Sequence, residues 1–153
     1  MWRPDDEDEY ASFGRYGTLG VAILRSPLDV RFFERLDRLM QSLSDEGRFS
    51  ILLVRAGETP GQMGAQLRTQ AKAILKRHAP QLIGFGYVLA GRGLKAKLLR
   101  GAINTVMLGA SFPAKTFTDL PASVDWLVGL PDAPAELRTG RGELLSTLQR
   151  LSA

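Results

Sequence analysis

The chain contains no cysteine, which excludes disulfides, thiolate metal ligands, iron–sulfur clusters and cysteine nucleophiles. Its one histidine, His78, excludes a metal site built from several imidazoles. No stretch approaches the ~18 apolar residues needed to cross a membrane as a helix. The start, Met1-Trp2-Arg3-Pro4 followed by five acids from Asp5 to Glu9, reverses the basic-then-apolar order of a signal peptide. Together these absences lead us to expect a soluble, cytoplasmic protein. Acid is missing too: no Asp or Glu lies between Glu58 and Asp119, whereas Arg68, Lys72, Lys76, Arg77, Arg92, Lys95, Lys97, Arg100 and Lys115 all do. Such a field favours an acidic protein partner, anionic lipid or nucleic acid, and does not choose among them. Aromatic residues are sparse in that half, with only Phe85, Tyr87, Phe112 and Phe117, three of them in predicted strands. A base-stacking platform is therefore lacking, which speaks against nucleic acid as the partner.

What is present is a chain of 153 residues, 44% hydrophobic, which suffices for one domain with one well-buried core. Residues 1–14 are acidic and then small, with no apolar period, and read as a flexible acidic arm whose charge would suit it to cover the basic half. Residues 15–131 alternate strand and helix. Residues 132–153 read as a C-terminal helical extension, divided near Gly140 and Gly142 and docked through Leu137, Leu144, Leu145, Leu148 and Leu151.

Within the central part, Tyr16 to Arg25 is an apolar run suited to a buried strand, and Ser26-Pro27 supplies a helix-starting pair. Phe32, Leu36, Leu39, Met40 and Leu43 follow at helical spacing, and Gly47 ends that helix. Phe49 to Val54 predicts a second strand. The next helix carries Met63, Leu67, Ala71, Ile74 and His78 along one side, opposite a stripe of Arg68, Lys72 and Lys76, and Pro80 stops it. Leu82 to Ala90 predicts a third strand, whose Gly84 and Gly86 imply a close neighbour. In the helix from about Leu94 to Leu108, apolar residues occupy more than half the circumference, predicting burial on more than one side. Ile103 and Met107 are candidates for self-association there, and a homodimer or other homo-oligomer is the corresponding assembly. Lys115 to Thr118 predicts a fourth strand, followed by a helix capped by Thr118 or Asp119 and closed by Pro131. The fold class is thus α/β, a single domain with a mixed four- to five-stranded sheet, helices mostly on one face, and an added C-terminal helix.

No motif for chemistry emerges. The turn Arg55-Ala56-Gly57-Glu58-Thr59-Pro60-Gly61 has the glycines of a phosphate loop without its spacing or lysine. Gly84, Gly86, Gly91 and Gly93 flank a strand rather than open a helix, so they do not form a dinucleotide fingerprint. His78 stands at the end of an apolar helix side, placed to cap carbonyls or fill space before Pro80, with no G-x-S-x-G or H-E-x-x-H arrangement around it. The expectation is a protein that is not an enzyme and uses no cofactor or metal. The expected partner-binding residues are Arg55, Thr59, Met63, Arg68, Lys72 and Lys76, at the start and on the exposed face of the second helix. A small-ligand or anionic-lipid binding protein is the alternative, and it predicts an apolar pocket between the third strand and the third helix.

The strand–helix alternation, ending in Phe117-Thr118-Asp119-Leu120 with Ala122 and Trp126-Leu127, resembles STAS-like domains, especially those related to anti-sigma-factor antagonists. The resemblance covers Tyr16 to Leu130. It implies an α/β domain acting as a regulatory or signalling protein by protein–protein interaction, in a bacterial type of system. In anti-sigma-factor antagonists an Asp-x-Ser-Gly segment after the second long strand carries a serine whose phosphorylation switches partner binding. Here Met63-Gly64 is the best match to that serine and glycine, and methionine has no hydroxyl to phosphorylate.

Overall fold

Strands buried on both faces read as nearly continuous apolar runs, and those are the strands at the centre of this molecule. The structure, a computed structural model, describes residues 1–56, 63–90 and 93–153. Among these residues six strands, β1 (Trp2–Glu7), β2 (Ala11–Tyr16), β3 (Leu19–Leu24), β4 (Phe49–Arg55), β5 (Leu82–Leu89) and β6 (Ala114–Phe117), form one sheet in sequential order. β2 runs antiparallel to β1 and β3; β3, β4, β5 and β6 are parallel. Val21, Leu52 and Gly86 lie side by side across β3, β4 and β5.

The three crossovers between the parallel strands are the helices α1 (Val30–Ser44), α2 (Ala65–His78) and α3 (Leu94–Met107). The strand order never reverses, so a constant crossover hand keeps all three on one face. They enclose a core with Phe49, Ile51, Leu53, Phe85, Tyr87 and Leu89 of the sheet. Beyond β6 there is no further parallel strand to reach, and α4 (Leu120–Val128), α5 (Ala135–Thr139) and α6 (Arg141–Leu151) cover the opposite face over Val21, Ile23, Leu52, Val54 and Val88.

Three expectations need correction. The sheet has six strands rather than four or five, because the segment read as a flexible acidic arm supplies β1 and most of β2. Its apolar signal is weak because β1 is an edge strand exposed along most of its length, where charge and Pro4 discourage further pairing. It is held by Trp2, whose ring leaves no room for a side chain at Gly14, and by Arg35, whose guanidinium bonds Asp6 at 2.7 Å and Asp8 at 3.0 Å. The helices divide three and three between the faces. The docking expected of residues 132–153 is seen, with Leu137, Leu144 and Leu148 fully buried in the second core. Finally, α1 starts at Asp29, whose carboxylate accepts the Phe32 amide at 2.8 Å, and not at Ser26-Pro27.

Other boundaries follow the sequence closely. Gly47 stands at φ +136 after α1, Asp119 caps α4 through the Ala122 amide, and Gly140 separates α5 from α6. The glycines of β5 do admit close neighbours, from the turn after α4 at Gly84 and from Leu52, Phe117 and Trp126 at Gly86. A Cβ on Gly84 would sit 2.4 Å from Leu130 Cδ1, and one on Gly86 3.8 Å from Trp126 Cζ3.

Candidate functional site

α2 is fastened by Ala71, Ile74, Leu75 and His78, all buried against the sheet and its neighbours. His78 is a core residue with a partner: its Nε2 lies 2.8 Å from Asp37 Oδ1, and its ring meets Phe49 edge-on. Arg77, next to it, pairs with the other oxygen of Asp37. Arg68 is half-buried and donates to the Met63 carbonyl at 3.0 Å, closing the turn into the helix. Lys72 and Lys76 remain, both exposed, and neither makes an ion pair among the described residues.

These two lysines border a groove of about 410 Å³ between α2 and the segment that leads from α3 into β6. Its floor is Leu75, Val106 and Phe112, and Leu108 stands at its rim. The arrangement of an apolar floor beside two unneutralised ammonium groups suits a ligand that is acidic and partly apolar. Besides the two ammonium groups its lining carries one hydroxyl, that of Ser111, and no group of three or more metal-ligating side chains occurs among the described residues.

The structure brings together only part of the expected site. Met63 is 8% exposed and belongs to the core beneath the three crossover helices, so it is not a contact residue. Arg55, at the end of β4, is buried as well and donates to the Ser26 carbonyl; burial lowers its pKa. Thr59, the glycines of the turn around it and Arg92 lie outside the described residues. Ile103 and Met107 are 3% and 7% exposed and face the sheet, so they offer no self-association surface. The leucines of α3 that do face solvent are Leu94 and Leu98, with Leu108 just past its end. The signal was their placement opposite Leu99, Ile103 and Val106, which one-dimensional counting of apolar residues on a helix blurs.

The acidic hairpin does not cover this face. β1 is the sheet edge farthest from β6, with α2 and α3 toward the other side. Its Asp8 is engaged locally: despite burial that opposes ionisation, amides of Ala11 and Tyr10 and the Arg35 charge hold its carboxyl below the ordinary range. An apolar cavity does lie between β5 and the three helices, lined by Phe85, Tyr87, Ile103 and Met107 among others, but its volume is about 30 Å³. That is room for a water molecule or two, far below the few hundred Å³ of a ligand pocket.

No family model matches the chain, and no curated protein matches it. The class that fold and site define is an α/β domain with a basic groove on its crossover-helix side. No helix among the described residues is long and apolar enough to cross a membrane.

Proposed function

We propose that this protein is a non-catalytic regulatory binding module that seats an acidic segment of a partner protein in the groove between α2 and residues 108–112. The observation that carries this reading is the pair Lys72 and Lys76, exposed and without ion pairs among the described residues, beside the apolar floor of Leu75, Val106 and Phe112. Charge complementarity of this kind steers encounter, and the apolar floor supplies the holding contacts. The alternation of strand and helix from Leu19 to Val128 supports the resemblance to STAS-like domains, for which partner binding is the implied role. The small volume of the apolar cavity gives no support to a buried small-molecule site.

The test is direct binding of a labelled acidic peptide carrying leucines at i and i+4, followed by fluorescence anisotropy. Reversing both charges (Lys72→Glu with Lys76→Glu) should weaken binding by on the order of tenfold or more and flatten its salt dependence. Equal affinity of the reversed variant, with an unchanged circular dichroism melt, would remove the groove as the site.

A further inference from the structure

We propose that the outward face of α3 docks on the surface of an anionic bilayer. This goes beyond the groove, with which it shares only Leu108 and the field of Lys72 and Lys76. α3 has two apolar sides. One, with Ala96, Leu99, Ile103, Val106 and Met107, is in the core; the other, opposite, carries Leu94 and Leu98, which are 73% and 64% exposed. At 100° per residue Leu94, Leu98, Gly101 and Thr105 fall within about 60° of one another. Leu108, at 84% exposure, extends the strip past the last turn. Gly101 leaves the middle open, with nothing within 4 Å of where a Cβ would be. Thr105 Oγ1 donates to the Gly101 carbonyl at 3.0 Å, which satisfies its hydroxyl within the helix.

Lys95 and Lys97 flank this strip on its two sides, and Lys72 and Lys76 extend the positive field onto α2. From residue 59 to residue 118 the chain has no acid to offset them. A helix about 21 Å long, with leucines outward and lysines at their flanks, has the pattern of a segment that lies in the membrane interface plane. The alternatives fit less well. A protein interface of this kind would centre on aromatic or arginine anchors, and the strip has none. A second copy of the same face would bring lysines against lysines.

The test is flotation of the full chain with vesicles of phosphatidylcholine alone and with added phosphatidylserine. Binding should appear only with phosphatidylserine and fall with salt. Leu94→Ser with Leu98→Ser, and separately Lys95→Glu with Lys97→Glu, should each reduce it by on the order of tenfold or more. Both pairs are solvent-exposed, so circular dichroism melts should match the parent. The acidic-peptide assay provides the separate readout: the leucine pair should leave peptide affinity intact. No binding to anionic vesicles, equal binding to neutral ones, or a leucine pair that reduces peptide affinity in place of vesicle binding would each overturn the proposal, whatever becomes of the groove.

Discussion

Tyr87 sits in β5 with its ring in the core, and its buried hydroxyl has no hydrogen-bond partner among the described residues. Burial raises its pKa to about 12, with the positive charge of Arg55 pulling the other way. A phenol that ionises near 10 when unfolded and near 12 when folded favours the folded state fully below pH 10. Its contribution is lost as pH rises through that interval, because the unfolded chain gives up the proton first. Tyr87→Phe removes a hydroxyl with no partner among the described residues and so should gain about 1 kcal/mol at neutral pH, and, with no phenol to ionise, it should lose less stability between pH 10 and 12, measured by urea unfolding across that range. A loss at neutral pH would mean the hydroxyl is satisfied. His78 is the opposite case, a buried polar group whose partner is in place. Asp37→Ala should cost about 1–3 kcal/mol by leaving the imidazole unpaired, while Asp37→Asn keeps an acceptor and should cost less. Chemical denaturation of the two variants side by side would decide whether that hydrogen bond matters.

At the scale of elements, two pieces that look like additions to the chain complete the sheet and its second layer. The hairpin of β1 and β2 closes one edge through Trp2 and the Arg35 ion pairs. Removing residues 1–9 should lower the melting temperature and, by baring β2 as a new edge, promote self-association, visible by light scattering. The opposite layer depends on close approach of α4 and the turn after it to β5. Gly84→Val would push branched methyls into the space of Leu130 and should cost about 1–3 kcal/mol, read as a lower urea midpoint with unchanged slope. Tyr16 ties the layers from another side, donating to Glu143 Oε2 at 3.0 Å while its hydroxyl fills the space a side chain at Gly140 would need. These glycines are therefore packing devices. Their spacing in the strand was legible, but the helix that exploits them is more than thirty residues away along the chain.

Over the whole molecule, charge is sorted across the sheet. The acids of β1 stand at one edge, and the helices α2 and α3 with their uncompensated lysines stand toward the other. This separation is what leaves the basic side open to an acidic peptide or an anionic surface, since an arm free to fold back would have neutralised it. The unreversed order of the parallel strands also bears on function. An α/β sheet binds nucleotides most readily where neighbouring strands send their crossovers to opposite faces, and β3 to β6 have no such switch point. The outer surfaces of the crossover helices α2 and α3 carry Lys72, Lys76, Leu94 and Leu98.

The apolar runs at β3, β4 and β5, the helical spacing from Phe32 to Leu43, and the stops at Gly47, Pro80 and Gly140 determined most of the elements by themselves, because period and backbone restriction are local properties. The stripe of Lys72 and Lys76 was legible for the same reason. What only the tertiary structure decided was which side of each element met the core. Ile103 and Met107 turned inward, and Leu94 and Leu98 outward, because packing against a sheet selects one face of a helix that is apolar on two; Met63, in the loop before α2, turned inward as well. Likewise β1 became a strand, against its composition, because the partners that hold it lie outside it: β2 pairs with it, Gly14 makes room for the Trp2 ring, and Arg35 binds the carboxylates of Asp6 and Asp8.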